Sequence, residues 1–202
     1  MGGKTRLRFS VLLGRFIGAV VFSVALLGAG CALSPQTVEV EPALALEPSD
    51  LGQGRTVALQ VQDNRTQDAI GARGGIYDTA TISAVGDIRL AVEKAMTQAL
   101  TTQGFQVVAA DVPADLRMRV SLDDLSYVAH GDPMVRAVQI GAKVSGTVKR
   151  ASQQYSSRAG ITETRDVIRP PAPVDNEAYI NDALAHALER LISDPKFIEF
   201  VR

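Results

Sequence analysis

Tryptophan is absent from this sequence, and cysteine occurs once, at Cys31. One cysteine cannot form an intrachain disulfide, so the fold must rest on its apolar core whatever the redox compartment. Aromatic side chains are only 5% of the chain, too few for a sugar-stacking or base-stacking platform. Histidine occurs twice, at His130 and His186, without the carboxylate or cysteine spacing of a metal site. Neither sign of charge dominates, with 21 basic against 22 acidic residues. The N-terminal apolar run, Phe16 to Ala29, is about 14 residues long, short of the roughly 20 that span a hydrocarbon core.

That N-terminus has the three-part order of an export signal. Lys4, Arg6, Arg8 and Arg15 precede the apolar run, and small residues lead into the cysteine as Leu26-Leu27-Gly28-Ala29-Gly30-Cys31. This segment resembles a bacterial lipobox, with Gly28 standing where leucine is usual. The resemblance implies acylation of the Cys31 thiol, palmitate included, and cleavage just before it. Two or three acyl chains anchor stably where one does not. Ala32 in place of an aspartate implies, by the same resemblance, sorting to the outer membrane. The competing reading, an uncleaved anchor, would bring Arg15 into the bilayer at considerable cost.

Removal of residues 1–30 takes away four basic side chains and no acid, leaving 17 basic against 22 acidic residues. That balance argues against nucleic acid and against polybasic lipid binding, and no basic stripe stands out along the chain. Residues 31–54 read as the acylated cysteine and a flexible tether. Pro35, Pro42 and Pro48 interrupt it, and Glu39, Glu41, Glu47 and Asp50 solvate it. An edge strand over Thr37 to Val40 is the alternative there. Residues 55–202 suit one periplasmic domain.

Within that domain, Arg55 to Val61 alternates as a strand. A polar, glycine-rich loop follows, through Asp63-Asn64-Arg65-Thr66 and Ile70-Gly71-Ala72-Arg73-Gly74-Gly75, and then a short strand over Thr79 to Ser83. Asp87 to Gln103 carries an apolar stripe at helical spacing, with an acid at its start and Gly104 at its end. Phe105 to Val108 begins a strand, so a right-handed crossover is expected. Leu116 to Leu122 alternates, and the phase then shifts to Leu125 and Tyr127, which predicts a bulge near Asp123-Asp124. Val138 to Val148 alternates most regularly, and Tyr155 to Thr164 reads as a polar edge strand. Asp175 or Asn176 caps a final helix, and Asp194-Pro195 caps a short last turn. The expected fold is a two-layer α+β domain. It has a mixed, mostly antiparallel sheet of about four to six strands packed by two amphipathic helices.

These residues together resemble the YajG family of bacterial lipoproteins. The likeness rests on the signal with its cysteine, Asp63-Asn64-Arg65, Ile70-Gly71-Ala72-Arg73 and Asp87-Ile88-Arg89. Leu100, Gly104, Phe105 and the terminal Ile198-Glu199-Phe200-Val201 complete it. The resemblance implies location and fold but no activity.

No nucleophile, base and orienter come together in the sequence, and no cofactor motif is present. Asp123 and Asp124 are adjacent on a strand and point to opposite faces unless the bulge intervenes. His186 reads as solvated and His130 as a turn residue. The expectation is therefore a non-enzymatic accessory or adaptor, anchored in the outer membrane through lipid on Cys31. It faces the periplasm and docks a protein partner there, through the Asp63–Arg73 loop or the polar edge near Tyr155. The alternative is a binding module for a small anionic or glycan ligand. Asp63, Asn64, Arg65, Gly71 and Arg73 are its candidate loop, with Arg65 and Arg73 as charge contacts. A structural turn, in which Asp63 pairs with one of the arginines, competes with both uses of the loop.

Overall fold

The structure, a computed structural model, describes residues 34–74, 79–131 and 134–202. Cys31 and the expected signal peptide lie outside the described residues. Ser34 to Arg202 forms one compact unit.

Among the described residues, eight strands and three helices follow one another. They are β1 (Gln36–Glu39), β2 (Thr56–Asp63), β3 (Ala69–Ala72), β4 (Thr81–Val85), α1 (Ile88–Thr102) and β5 (Gln106–Ala109). Then come β6 (Leu116–His130), β7 (Ala137–Arg150), β8 (Gln153–Asp166), α2 (Pro173–Ile192) and α3 (Pro195–Val201). The class is α+β, as expected, but the sheet is larger and less antiparallel than the alternation suggested. All eight strands share one sheet. Four pairings are parallel and three antiparallel. The extra strands are four residues long, too short to show a period of two above background.

Strand β6 organises the sheet. Its full length pairs antiparallel with β7 on one edge. The other edge is shared: β2 takes Leu116 to Leu122 in parallel, and β3 takes Tyr127 and Val128 in parallel. Between the two lies the expected bulge, where the β6–β7 register shifts between Leu122 and Asp124. The extra residue rotates the strand by one face, so Leu116, Met118, Val120 and Leu122, then Leu125 and Tyr127, all reach the core.

One face of the sheet is covered by helices. The side chain of Asp87 caps α1 by accepting the backbone N–H groups of Arg89 and Leu90 at 2.8 and 3.3 Å. Gly104 ends it at φ +82°, a conformation that any side chain would strain. Ile88, Val92, Met96 and Leu100 of α1 join Ile180, Leu184, Leu188 and Leu191 of α2 in one buried cluster with the strands. Fully burying such a side chain stabilises by about 1.5–3 kcal/mol, so this cluster is the main source of stability.

From Ser34 onward the expected tether is instead folded, and the alternative of an edge strand over Thr37 to Val40 corresponds to β1. Val38, Val40 and Pro42 are buried, Leu44 and Leu46 are half-buried, and the residues between them are exposed. Strand β1 pairs in parallel with β4, and the segment then runs on between α1 and α2. Lys94 of α1 holds Glu41 at 3.1 Å. From α2, Glu177, Asn181 and Glu189 accept the N–H groups of Glu39, Glu41 and Ala45. The prolines prevent helix but not an extended strap, whose apolar residues alternate from Val38 to Leu46.

Candidate functional site

The Asp63–Arg73 loop is held by its own side chains. Asp63 ends β2, and Asn64 N–H donates to the Leu122 carbonyl at 2.9 Å. The Arg65 guanidinium meets the Asp63 carboxylate through Nε and Nη2 at 3.0 and 2.8 Å, and the Arg65 N–H donates to the same group at 3.1 Å. Burial raises the Asp63 pKa. The Arg65 side-chain and backbone hydrogen bonds, with its charge, outweigh burial and hold the carboxyl below its usual value. The structural-turn reading, with Asp63 paired to Arg65, matches this geometry.

Gly71 lies inside β3, between Ile82 of β4 and Tyr127 of β6. A Cβ there would collide with the Tyr127 carbonyl, so glycine is required by close backbone approach. Arg73 follows it and turns inward. Its Nη1 donates to the Ser34 carbonyl at 2.8 Å and its Nη2 to the Pro171 carbonyl at 3.3 Å. Gln36 sits between Arg73 and buried Asn176, 3.0 Å from the guanidinium and 2.7 Å from the Asn176 amide. A guanidinium only donates, so the Gln36 oxygen faces Arg73. Beside this cluster the Tyr127 hydroxyl is buried, and burial pushes its pKa well up. Arg73 is thus a clamp on the start of the strap. The loop brings Asp63 and Arg65 together but spends Arg73 on backbone carbonyls.

The other sequence candidates resolve as structural groups. Asp124 accepts from Ser126 Oγ at 3.0 Å beside the bulge. His186 Nδ1 lies 2.9 Å from Glu163 and His130 Nε2 lies 3.3 Å from Gln139. No group of three or more potential metal ligands occurs among the described residues.

Two features are left without a structural use. The first is the outer edge of β8. Among the described residues, its 14 residues pair only with β7. The two-residue turn joining Arg150 to Gln153 makes that closing pair hydrogen-bonded. Even-numbered residues such as Thr162 and Thr164 then point their backbone groups to the open edge. The Gly160 carbonyl, which accepts from Arg190 Nη1 at 3.1 Å, marks the same set.

The second is a basic area on the sheet face away from the helices. Arg117 and Arg119 alternate with core residues on β6, and Lys149 lies opposite Arg117 on β7. The cations form no stripe in the linear sequence, because they are spread over more than 30 residues and only the hairpin brings them together. The alternation of Arg117 and Arg119 with Leu116, Met118 and Val120 was the available hint.

A model of the lipoprotein family Lipoprotein_16, described as "Uncharacterized lipoprotein", matches residues 42–202. YajG of Escherichia coli K12, an "Uncharacterized lipoprotein", is 31% identical over 94 residues, covering 46% of this chain and 48% of YajG. YajG of Escherichia coli O6:H1 matches to the same extent. The aligned stretch spans about half the length of these curated relatives. Among solved structures, protein XCC0632 from Xanthomonas campestris superposes with a TM-score of 0.55 at 10% identity, covering 83% of this chain and 97% of that one. That likeness shows a shared fold. No helix of the described residues is long and apolar enough to cross a membrane. With the family model covering the strap's second half and everything after it, this chain belongs to the YajG family of membrane-anchored lipoproteins.

Proposed function

We propose that this lipoprotein is a non-enzymatic accessory of the bacterial outer membrane, anchored by lipid on Cys31, that captures a periplasmic protein by adding a strand to β8. The open edge of β8 carries this reading. Natural proteins usually shorten, cover or break such an edge to avoid aggregation. Here it is long, free of proline and bare of covering strands among the described residues. Backbone groups at Thr162 and Thr164 offer a partner segment main-chain hydrogen bonds, and outward side chains such as Arg158 and Thr162 set its register. The Asp63–Arg73 loop is the weaker surface, because Arg65 and Arg73 are already engaged by protein acceptors.

The test is photocrosslinking in intact cells from a probe at Thr164, followed by fractionation of the envelope. Thr162→Pro removes an edge N–H without touching the β7 ladder. A discrete adduct in the outer-membrane fraction, lost in Thr162→Pro and absent from that fraction in Cys31→Ser, is the expected result. An adduct unchanged in a folded Thr162→Pro variant would refute strand addition.

A further inference from the structure

A shallow pocket of about 300 Å³ opens on the solvent face of the sheet where β2, β6, β7 and β8 meet. That volume is at the small end of ligand sites. Its polar lining is Gln60, Arg117, Arg119, Thr147, Lys149 and Gln154, and among the described residues no carboxylate and no aromatic ring lines it. The register sets these groups side by side. Arg119 lies next to Gln60 and opposite Thr147, Arg117 lies opposite Lys149, and Lys149 lies between Arg117 and Gln154.

The cations are placed against their own repulsion. Like charges directly opposite across an antiparallel pair are destabilising, yet Arg117 faces Lys149. Among the described residues neither they nor Arg119 enters an ion pair. Two of the three are held in place by neutral acceptors. Arg117 Nη1 donates to the Ala110 carbonyl at 3.3 Å, and Arg119 Nε donates to Gln60 Oε1 at 3.1 Å. Such bonds fix a guanidinium without neutralising it, and they leave the terminal Nη groups of Arg119 free for a forked contact. Arg158, opposite Ser145, continues the same face toward the β8 side.

We infer that this pocket binds a phosphoryl group carried on a hydroxyl-rich molecule. The two guanidinium groups and the Lys149 ammonium match its anionic oxygens. Gln60, Thr147 and Gln154 supply neutral donors and acceptors for adjoining hydroxyls, and the absence of a ring excludes recognition by stacking. A soluble sugar phosphate and the phosphate headgroup of a membrane lipid present the same chemistry. The site is independent of strand addition at β8.

The full chain, purified in neutral detergent micelles, is melted while inorganic phosphate or glucose 1-phosphate is titrated at constant ionic strength. In a second arm, phosphatidylglycerol replaces part of the detergent. A saturable rise in melting temperature with glucose 1-phosphate supports the site and a free ligand. A rise only with phosphatidylglycerol supports the site and a lipid headgroup. In either case the apparent affinity falls at least tenfold in the Arg117→Gln/Arg119→Gln double variant. Lys149→Gln also weakens binding, but it raises the melting temperature without ligand because it relieves the repulsion with Arg117. No rise beyond a chloride control in either arm, or a rise unchanged in these variants, overturns the assignment.

Discussion

Asn181 pairs with Glu41 much as one strand pairs with another. The Glu41 N–H donates to Asn181 Oδ1 at 2.8 Å, and Asn181 Nδ2 donates to the Glu39 carbonyl at 2.9 Å. Glu177 and Glu189 extend the ladder along α2 to Glu39 and Ala45. The match is geometric. Four residues of helix rise about 6 Å, and two residues of extended chain advance about 6.6 Å. A helix face presenting acceptors every fourth residue can therefore serve alternate N–H groups of a strap. At the one skipped step α2 carries Ala185, which is buried and has no side-chain acceptor.

Asn181→Ala removes both bonds at the centre of this ladder. Each is worth about 0.5–1.5 kcal/mol net, so the variant should lose about 1–2 kcal/mol in urea unfolding. Faster amide exchange at Glu41 should accompany it. An unchanged midpoint and unchanged exchange would mean that the strap is held by its apolar residues alone.

Arg73 and Arg65 should separate when each is replaced by alanine. Arg73→Ala leaves the Ser34 and Pro171 carbonyls and the Gln36 side chain without their donor. Its expected cost is about 2 kcal/mol or more, with exchange accelerated around β1. Arg65→Ala loses a bidentate, mostly buried ion pair with Asp63, worth about 1.5–3 kcal/mol, but its effect on exchange is confined to the loop. Both folded variants should keep the crosslink from β8. Loss of that crosslink with unchanged stability would instead make the loop a recognition surface.

Stability should decline at both ends of the pH scale through one contact. Tyr155 hydroxyl donates to Asp194 Oδ2 at 2.6 Å, and Ser157 Oγ and the Lys196 N–H also donate to this carboxylate. The Tyr155 bond, foremost, holds the Asp194 pKa below its ordinary 3.8. A lowered acid stabilises fully above the unfolded value and loses that contribution as pH falls through the folded one. The same bond raises the Tyr155 pKa above 10.0, so its contribution is complete below that pH and is lost as pH rises through the folded value. Asp194→Asn should flatten both limbs of a stability-against-pH curve. Limbs of unchanged slope would show that other groups, Asp63 among the acids, set the dependence.

How much of this was legible from residue order depends on the range of the interactions. Periods of 3.6 and two located α1, α2, β2, β6 and β7, because a long element repeats its burial often enough to be read. The bulge after Leu122 was legible for the same reason, since a change of phase is itself a local signal. Strands β1 and β3, four residues each, offered too few repeats. The strap carried its signal through Leu46, but three prolines masked it.

The sequence by itself determined the apolar periods, the caps at Asp87 and Asp194, the bulge, the lipobox-like N-terminus and the family. All of these depend on residues a few positions apart. The start of α2 differs from expectation, because the helix begins at Pro173 after Ala172, with Asp175 inside its first turn accepting the Ala172 N–H at 3.1 Å. Tertiary structure alone decided that Arg73 would be spent on the strap, that β8 would keep an open edge, and that Arg117, Arg119 and Lys149 would share one pocket. The physical reason is sequence separation. Strand register and helix placement bring together groups that lie tens of residues apart, and the choice among possible partners is made by burial of the whole core at once.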